Sequence, residues 1–190
     1  TPNQKVVRLA DVELNKNYAI VITTNSGLWR YLIGDTVRFT SLNPYRIRIT
    51  GRTKHHINVF GEELMVENSD KALALTAKEF NVEVIEYSAA PVFMEGKQKG
   101  AHEWIIEFKT SPADLEVFAE VLDKNIQSLN SDYEAKRYNN ITLNSLKLHT
   151  AKQNLFYTWL KDKDKLGGQN KIPRLSNDRH YIEELLKLNQ

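Results

Sequence analysis

Cysteine is absent from all 190 residues of the sequence. Its absence excludes disulfide bonds, thiolate zinc sites and cysteine nucleophiles, and it fits a reducing compartment. Long apolar runs are also absent, because none approaches the roughly 20 residues that cross a bilayer. The first residues lack the basic and apolar regions of a signal peptide. We therefore expect a cytoplasmic protein that does not act in a membrane.

No single sign of charge dominates the chain. Lys and Arg number 26 and Asp and Glu 24, which gives a net charge of +2. This balance gives no reason to expect nucleic acid or an anionic membrane as a partner. Hydrophobic residues make up 41% of the chain and include three Trp. That content is sufficient for the core of one domain, or of one and a fraction.

The first 43 residues or so predict a small β unit. The run from Asn17 to Thr24 is apolar and β-branched, which is typical of a strand covered on both faces. Residues 28–33 predict a second strand that ends at Gly34 and Asp35.

Periodicities of 2 and 3.6 residues predict the elements that follow. Alternating apolar residues over 45–50 and 57–59 predict a hairpin joined across 51–54. The later predictions are a helix over 66–80, strands over 82–89 and 102–108, a helix after Ser111, a strand over 143–149, a helix near 155–160 and a final helix capped near Ser176. This order predicts an α+β fold of split βαβ type, with an antiparallel sheet and helices on one side.

Two of these predictions are specific. The strand over 102–108 places Trp104, Ile106 and Phe108 on one face of the sheet. Ser111 is expected to cap the next helix, because Pro112 after it suits the first helical position.

Asp35 is the first candidate site residue. It follows Gly34 directly after an apolar strand, where its carboxylate is able to accept two hydrogen bonds from the hydroxyls of a ribose. The alternative interpretation is that an Asp after a Gly simply closes a turn.

The segment GRTKHHINVFGEEL, which starts at Gly51, is the second candidate. Arg52 offers a planar fork suited to hydroxyls or phosphate, and Lys54 lies where a chain reversal is able to act as a hinge. The alternative is a hairpin turn with solvated basic residues. His55 and His56 are adjacent and would face opposite sides of a strand, so we predict no metal site.

Lys171 is the third candidate and lies in the Gly-rich segment GGQNKIPRLSNDR, which starts at Gly167. A lysine on a mobile loop before Pro173 is able to reach a transferring phosphoryl or carboxylate group. The alternative is an ordinary solvated lysine.

Together and in this order, the three segments resemble the adenylate-forming superfamily. YLIGD is similar to its Tyr-Arg-Thr-Gly-Asp motif, GRTKHHINVFGEEL to its Gly-Arg-x-Asp/Lys-x-x-Ile-Lys-x-x-Gly motif and NKIPR to its Gly-Lys-Ile-x-Arg motif. Within that superfamily, TTNSGLWRYLIGDTVRF and QNKIPRL most resemble the auxin-responsive acyl acid amido synthetases of plants and their bacterial relatives. Leu32 and Asn58 depart from these patterns, which usually have Arg and often Lys there.

The resemblance implies an ATP-dependent ligase that requires Mg²⁺, forms an acyl adenylate from a carboxylic acid and transfers the acyl group to an amino acid. In it, Asp35 would bind the ATP ribose, with Arg52 and Tyr31 supporting the nucleotide. Lys54 would lie at a hinge, and Lys171 would assist adenylation.

The resemblance further implies that residues 1–50 belong to a large adenylation domain whose amino-terminal part is missing here, and that residues 51–190 form a carboxy-terminal lid domain. Such a chain is expected to be inactive alone. Two alternatives stay open: the lid of an acyl-CoA ligase, and a non-catalytic α+β binding module.

Overall fold

The structure is a computed structural model of the chain. It describes residues 6–53, 55–94, 96, 98–140, 142–167 and 171–190, and for Arg52 and Asn140 it describes the backbone only. The chain divides into two compact units, Thr1–Thr53 and Lys54–Gln190, which are described separately. The predicted α+β class is confirmed.

The first unit is an antiparallel sheet built from strands adjacent in sequence. Its elements are a 3-10 turn at Leu9–Asp11 and the strands β1 (Asn17–Ile22), β2 (Tyr31–Leu42) and β3 (Tyr45–Arg52). β2 lies between β1 and β3. The buried Val37 and Phe39 of β2 form its centre, and the ring of Phe39 packs edge-on against Tyr18 and Tyr45, at 5.9 and 6.1 Å.

Two predictions for this part of the chain are wrong. β1 is not covered on both faces, because its residues alternate between exposed and half-buried. β3 does not form a hairpin with residues 57–59. It pairs instead with β2, where Ile47 lies opposite Phe39, because that pairing extends the apolar face around Phe39.

The second unit contains the remaining elements. They are β4 (His56–Ile57), β5 (Leu64–Met65), α1 (Val66–Glu79), β6 (Glu83–Val92), β7 (Ala101–Thr110), α2 (Leu115–Leu129), α3 (Ser131–Arg137), a 3-10 turn at Tyr138–Asn140, β8 (Lys147–Thr150), α4 (Leu155–Asp162) and α5 (His180–Leu188). β4 and β5 pair with each other. In the main sheet β7 lies between β6, which is antiparallel to it, and β8, which is parallel.

Helices cover both faces of this main sheet. Trp104, Ile106 and Phe108 share a buried cluster with α1, α2 and α3, which confirms that they lie on one face. Ile105 belongs to a second cluster with α4 and α5. Since successive residues of a strand point to opposite faces, α4 and α5 lie on the other side. The expectation of helices on one side only is therefore wrong.

Helix starts differ from prediction at two places. Asp114, not Ser111, caps α2, because its carboxylate accepts the backbone N–H groups of Glu116 and Val117 at 2.9 and 3.0 Å. The last helix, α5, begins at His180, four residues after Ser176. The short helix α3 was not predicted.

Candidate functional site

Asp35 lies inside β2 and not at the tip of a strand, which corrects the sequence prediction. Gly34, at φ 92°, lets the strand bend and continue. Ala19 of β1 pairs with Thr36 of β2, and Val21 pairs with Leu32. A step of two residues along β1 therefore corresponds to a step of four along β2. Asp35, which is half-buried, therefore lies in a β-bulge. Bulges change the direction in which a strand's side chains point.

The pairing of β2 with β3 brings two of the candidate residues together. The Cα atom of Asp35 is the direct cross-strand partner of that of Arg52. The next residue, Thr53, fixes the end of this pairing, since its backbone N–H and its hydroxyl donate to the carbonyl of Gly34 at 2.8 and 3.3 Å. Asp35 and Arg52, which are 17 positions apart in sequence, are thus neighbours at the bulge.

Tyr31 is not part of this pair. It is the first residue of β2, it is 53% exposed, and its cross-strand partner is Ile22 of β1. Leu32, which stands where the family patterns usually have Arg, is 51% exposed. A leucine side chain has no charge and no hydrogen-bonding group, so it does not supply the positive charge of the arginine usual at this position.

Lys54, the predicted hinge residue, lies outside the described residues, at the boundary between the two compact units. Shortly after it, a loop connects β4 to β5 and is closed by Asn58, whose side-chain oxygen accepts the backbone N–H of Glu63 at 3.2 Å. Asn58 thus has a local structural role where the superfamily often has Lys.

Asn177 ties this loop to the segment that carries Lys171. The side-chain oxygen of Asn177 accepts the backbone N–H of Asn58 at 2.7 Å, and its amide nitrogen donates to Nε2 of His56 at 3.2 Å. Two of the three sequence motifs are therefore in direct contact within the second unit.

The same loop carries a buried carboxylate. Oε1 of Glu62 lies 2.8 Å from Nε2 of His102 on β7, and both side chains are completely buried. Oε2 accepts the backbone N–H of Phe60 at 2.7 Å. Burial raises the pKa of the Glu62 carboxyl, but its interactions with His102 and the backbone outweigh burial, and the pKa lies below its usual value.

Lys171 is exposed, at the start of a segment that is docked along the edge of β6. The backbone N–H of Ala89 donates to the carbonyl of Arg174 at 2.8 Å, and that of Ser176 donates to the carbonyl of Ala89 at 3.1 Å. The hydroxyl of Ser88 donates to the carbonyl of Pro173 at 2.8 Å. Lys171 is thus a solvent-accessible amine next to backbone that is held by the sheet.

Sequence reasoning found the chain segments but missed several residues within them and one residue, on β7, that contacts them. Arg174, Asn177, Glu62 and His102 make the contacts that hold the two loops, and none was singled out. Arg174 stood in the quoted motif NKIPR, which was a signal for it. His102 gave no local signal, because its partner Glu62 is 40 residues away.

Comparison with protein families agrees with these features. Residues 67–180 match the model of the GH3 family C-terminal domain, and residues 1–52 match that of the GH3 family central domain. The fold is shared with a solved acyl acid amido synthetase. The chain belongs to the GH3 family, which confirms the resemblance read from its motifs.

Among curated proteins, the chain is similar to the indole-3-acetic acid-amido synthetase GH3.3 of Arabidopsis thaliana. The two are 27% identical over 187 residues, which cover 92% of this chain and 31% of the relative. The chain therefore spans about a third of the length of this relative.

Solved structures share the fold. The GH3.15 acyl acid amido synthetase matches with a TM-score of 0.72 and 22% identity, over 97% of this chain and 35% of that one. A 2-hydroxyisobutyryl-CoA ligase in its postadenylation state matches with a TM-score of 0.52 and 18% identity, over 93% and 35%. Among the described residues, no helix has the length and apolar character to cross a membrane.

Proposed function

We propose that this chain is the carboxy-terminal part of an ATP-dependent ligase that joins a carboxylic acid to the amine of an amino acid. The observation that carries the proposal is the exposed Lys171 on a segment docked to β6, within a GH3 family C-terminal domain. The pairing of Asp35 with Arg52 at a bulge supports it. In this proposal residues 51–54 act as the hinge between a remnant of the adenylation domain and a lid.

The proposed reaction has two steps. A carboxylate oxygen attacks the α-phosphorus of ATP, a C–O–P linkage forms, and pyrophosphate leaves with the electron pair of the broken P–O bond. The amine nitrogen then attacks the acyl carbon and loses a proton to solvent, and AMP leaves with the electrons of the broken C–O bond.

Residues of this chain fit part of what that reaction needs. Negative charge grows on the phosphate oxygens during adenylation, and the ammonium group of Lys171 would stabilise it. The carboxylate oxygens of Asp35 suit the two hydroxyls of a ribose. The described residues include no group of three or more His, Cys, Asp or Glu side chains arranged to hold a metal, so we derive no step through Mg²⁺ held by them.

The test is ATP–pyrophosphate exchange by an enzyme that contains this chain joined to an amino-terminal adenylation domain, with indole-3-acetic acid as the first acid tried. Lys171→Ala should lower the kcat of exchange by about 100-fold or more, the cost of removing one such donor, with little change in KM for ATP. Lys165→Ala, at another exposed lysine before the same loop, is the matched control and should leave exchange unchanged. Exchange that is insensitive to Lys171→Ala would reject the role of this lysine.

The acceptor separates this proposal from an acyl-CoA ligase. Product analysis with amino acids and with coenzyme A should give amides and no thioester. Thioester formation without amide would assign the chain to the other class of ligase. The 190-residue chain by itself should show no turnover.

A further inference from the structure

Arg174 makes more side-chain contacts than any other residue that the structure describes in the docked segment 171–177. Its Nε donates to Oε1 of Glu86 at 2.8 Å, and its Nη1 lies 3.2 Å from both carboxylate oxygens of Asp70. Its guanidinium carbon lies 5.3 Å from the centroid of the Tyr87 ring. The planar fork of arginine therefore contacts two carboxylates and one aromatic face at once, a geometry that lysine does not reproduce.

These contacts join the segment to two different elements. Glu86 and Tyr87 belong to β6 and Asp70 belongs to α1. The hydroxyl of Tyr87 donates to Asp70 at 2.7 Å, so the partners of Arg174 are also bonded to each other. The network is anchored in secondary structure, not in loops.

The chain between Arg174 and Lys171 has little freedom. Ile172 is 7% exposed and packs in the cluster with α4 and α5, and Pro173 is buried. The carbonyls of Pro173 and Arg174 are both hydrogen-bonded to β6. The backbone from Arg174 back to Ile172, the residue that follows Lys171, is thus held against the second unit by these contacts.

We propose that Arg174 is the positioning residue for Lys171: its contacts with Asp70, Glu86 and Tyr87 hold the segment so that the lysine is presented from a fixed backbone. This inference rests on the proposed adenylation function. A catalytic group displaced by about 1 Å is able to lose 100-fold in rate, so a positioning residue without substrate contact has a measurable effect.

The first test is a double-mutant cycle in the joined enzyme, measured by ATP–pyrophosphate exchange. Arg174→Gln should lower kcat about tenfold or more with KM for ATP nearly unchanged. The kcat of Arg174→Lys should lie between that of Arg174→Gln and that of the wild type. In a Lys171→Ala background, Arg174→Gln should change kcat less than about twofold, because residues that act through one another are not additive. Equal effects of Arg174→Gln in both backgrounds, or no effect in the wild-type background, would overturn the inference.

Arg179→Gln is the matched control. Arg179 is also a partly buried arginine of the second unit, and it bonds Glu103 at 2.6 Å and the carbonyl of Pro91 at 2.8 Å. Arg179→Gln should leave kcat unchanged although it also removes a partly buried ion pair. A loss of kcat in Arg179→Gln equal to that in Arg174→Gln would show a general structural effect and would also overturn the inference.

The second test uses the 190-residue chain and needs no activity. Hydrogen exchange of the amides of Ala89 and Ser176, which bond the segment to β6, should speed up about tenfold in Arg174→Gln and less in Arg174→Lys. Unchanged exchange at both amides would contradict the anchoring role. Absence of pyrophosphate exchange by the wild-type enzyme would instead reject the proposed function, so the two failures are distinguishable.

Discussion

Glu62 and His102 form a hydrogen-bonded pair, with Oε1 and Nε2 at 2.8 Å, in which neither side chain is exposed to solvent. The pair connects the β4–β5 loop to the central strand of the main sheet. Because Glu62 also accepts the N–H of Phe60, its carboxylate organises the loop from within. A buried pair of this kind is costly to break, since removal of one partner leaves the other unsatisfied.

Glu62→Ala should therefore lower the free energy of unfolding by about 3 kcal/mol. The measurement is urea unfolding of the 190-residue chain followed by tryptophan fluorescence. Glu83→Ala is the control, because Glu83 pairs with Lys109 at 2.9 Å with both side chains about 65% exposed, and its loss should cost no more than about 0.5 kcal/mol. Equal effects of the two substitutions would contradict the structural role of the buried pair.

Stability should also depend on pH through two buried carboxyls. Although burial raises the pKa of Glu62 and Glu103, hydrogen bonds to His102 and to Arg179 and His149 outweigh it, and both pKa values lie below their usual 4.5. A carboxyl with a lowered folded-state pKa stabilises the fold above its unfolded pKa, and this contribution is lost as the pH falls through the folded value. We expect the free energy of unfolding to fall with acidification below about pH 4.5. Glu62→Gln, which does not titrate, should show a shallower fall between pH 5 and 3, and an unchanged slope would count against this carboxyl.

Sequence and structure name different residues as the cap of α2, and this difference is testable. Asp114→Ala should destabilise the chain by about 1 kcal/mol, because its carboxylate bonds two N–H groups at the start of the helix. Ser111→Ala tests the cap expected from sequence and should change stability by less than about 0.5 kcal/mol. Thermal unfolding of both variants is the measurement, and the reverse order of effects would show that the helix starts earlier.

The β-bulge at Gly34 links backbone conformation to the proposed ribose site. Gly34 and Gly27 have φ of 92° and 102°, so alanine at either should cost about 1 to 2 kcal/mol of stability. Only Gly34 adjoins Asp35, and Gly34→Ala should therefore raise KM for ATP in the joined enzyme, in the same direction as Asp35→Ala, while Gly27→Ala should not. If Asp35→Ala raises KM for ATP but Gly34→Ala and Gly27→Ala change it equally, the bulge has no specific role in nucleotide binding.

Local patterns predicted much of the second unit. The stripe that includes Leu73 and Phe80 gave α1, and the alternation at Trp104, Ile106 and Phe108 gave the buried face of β7. The helical period of 3.6 residues and the strand period of two are set by backbone geometry over a few residues. They are therefore recognisable in the sequence without knowledge of the fold. Helix α3 was missed because its seven residues, SDYEAKR, contain little apolar stripe, and it is held by the capping side chain of Asn130.

Strand partners were harder to predict than strands. The sequence pattern predicts a hairpin of β3 with residues 57–59, whereas β3 pairs with β2, and no pattern predicts the parallel pairing of β8 with β7. The run through Gly34 and Asp35 predicts a strand end, because glycine followed by aspartate is a turn signal. In the structure, pairing on both sides of β2 overrides that local preference.

The sequence by itself determined the α+β class, the main helices and strands, the positions of Asp35, Arg52 and Lys171 as site candidates, and the family. Those features depend on residue types and short spacings. Tertiary structure alone decided that Asp35 stands opposite Arg52, that Glu62 is buried against His102, and that Arg174 bonds Asp70 from 104 residues away. The physical reason is that a buried or paired polar group is stabilised only by the partner that folding brings to it, and nothing in its local sequence names that partner.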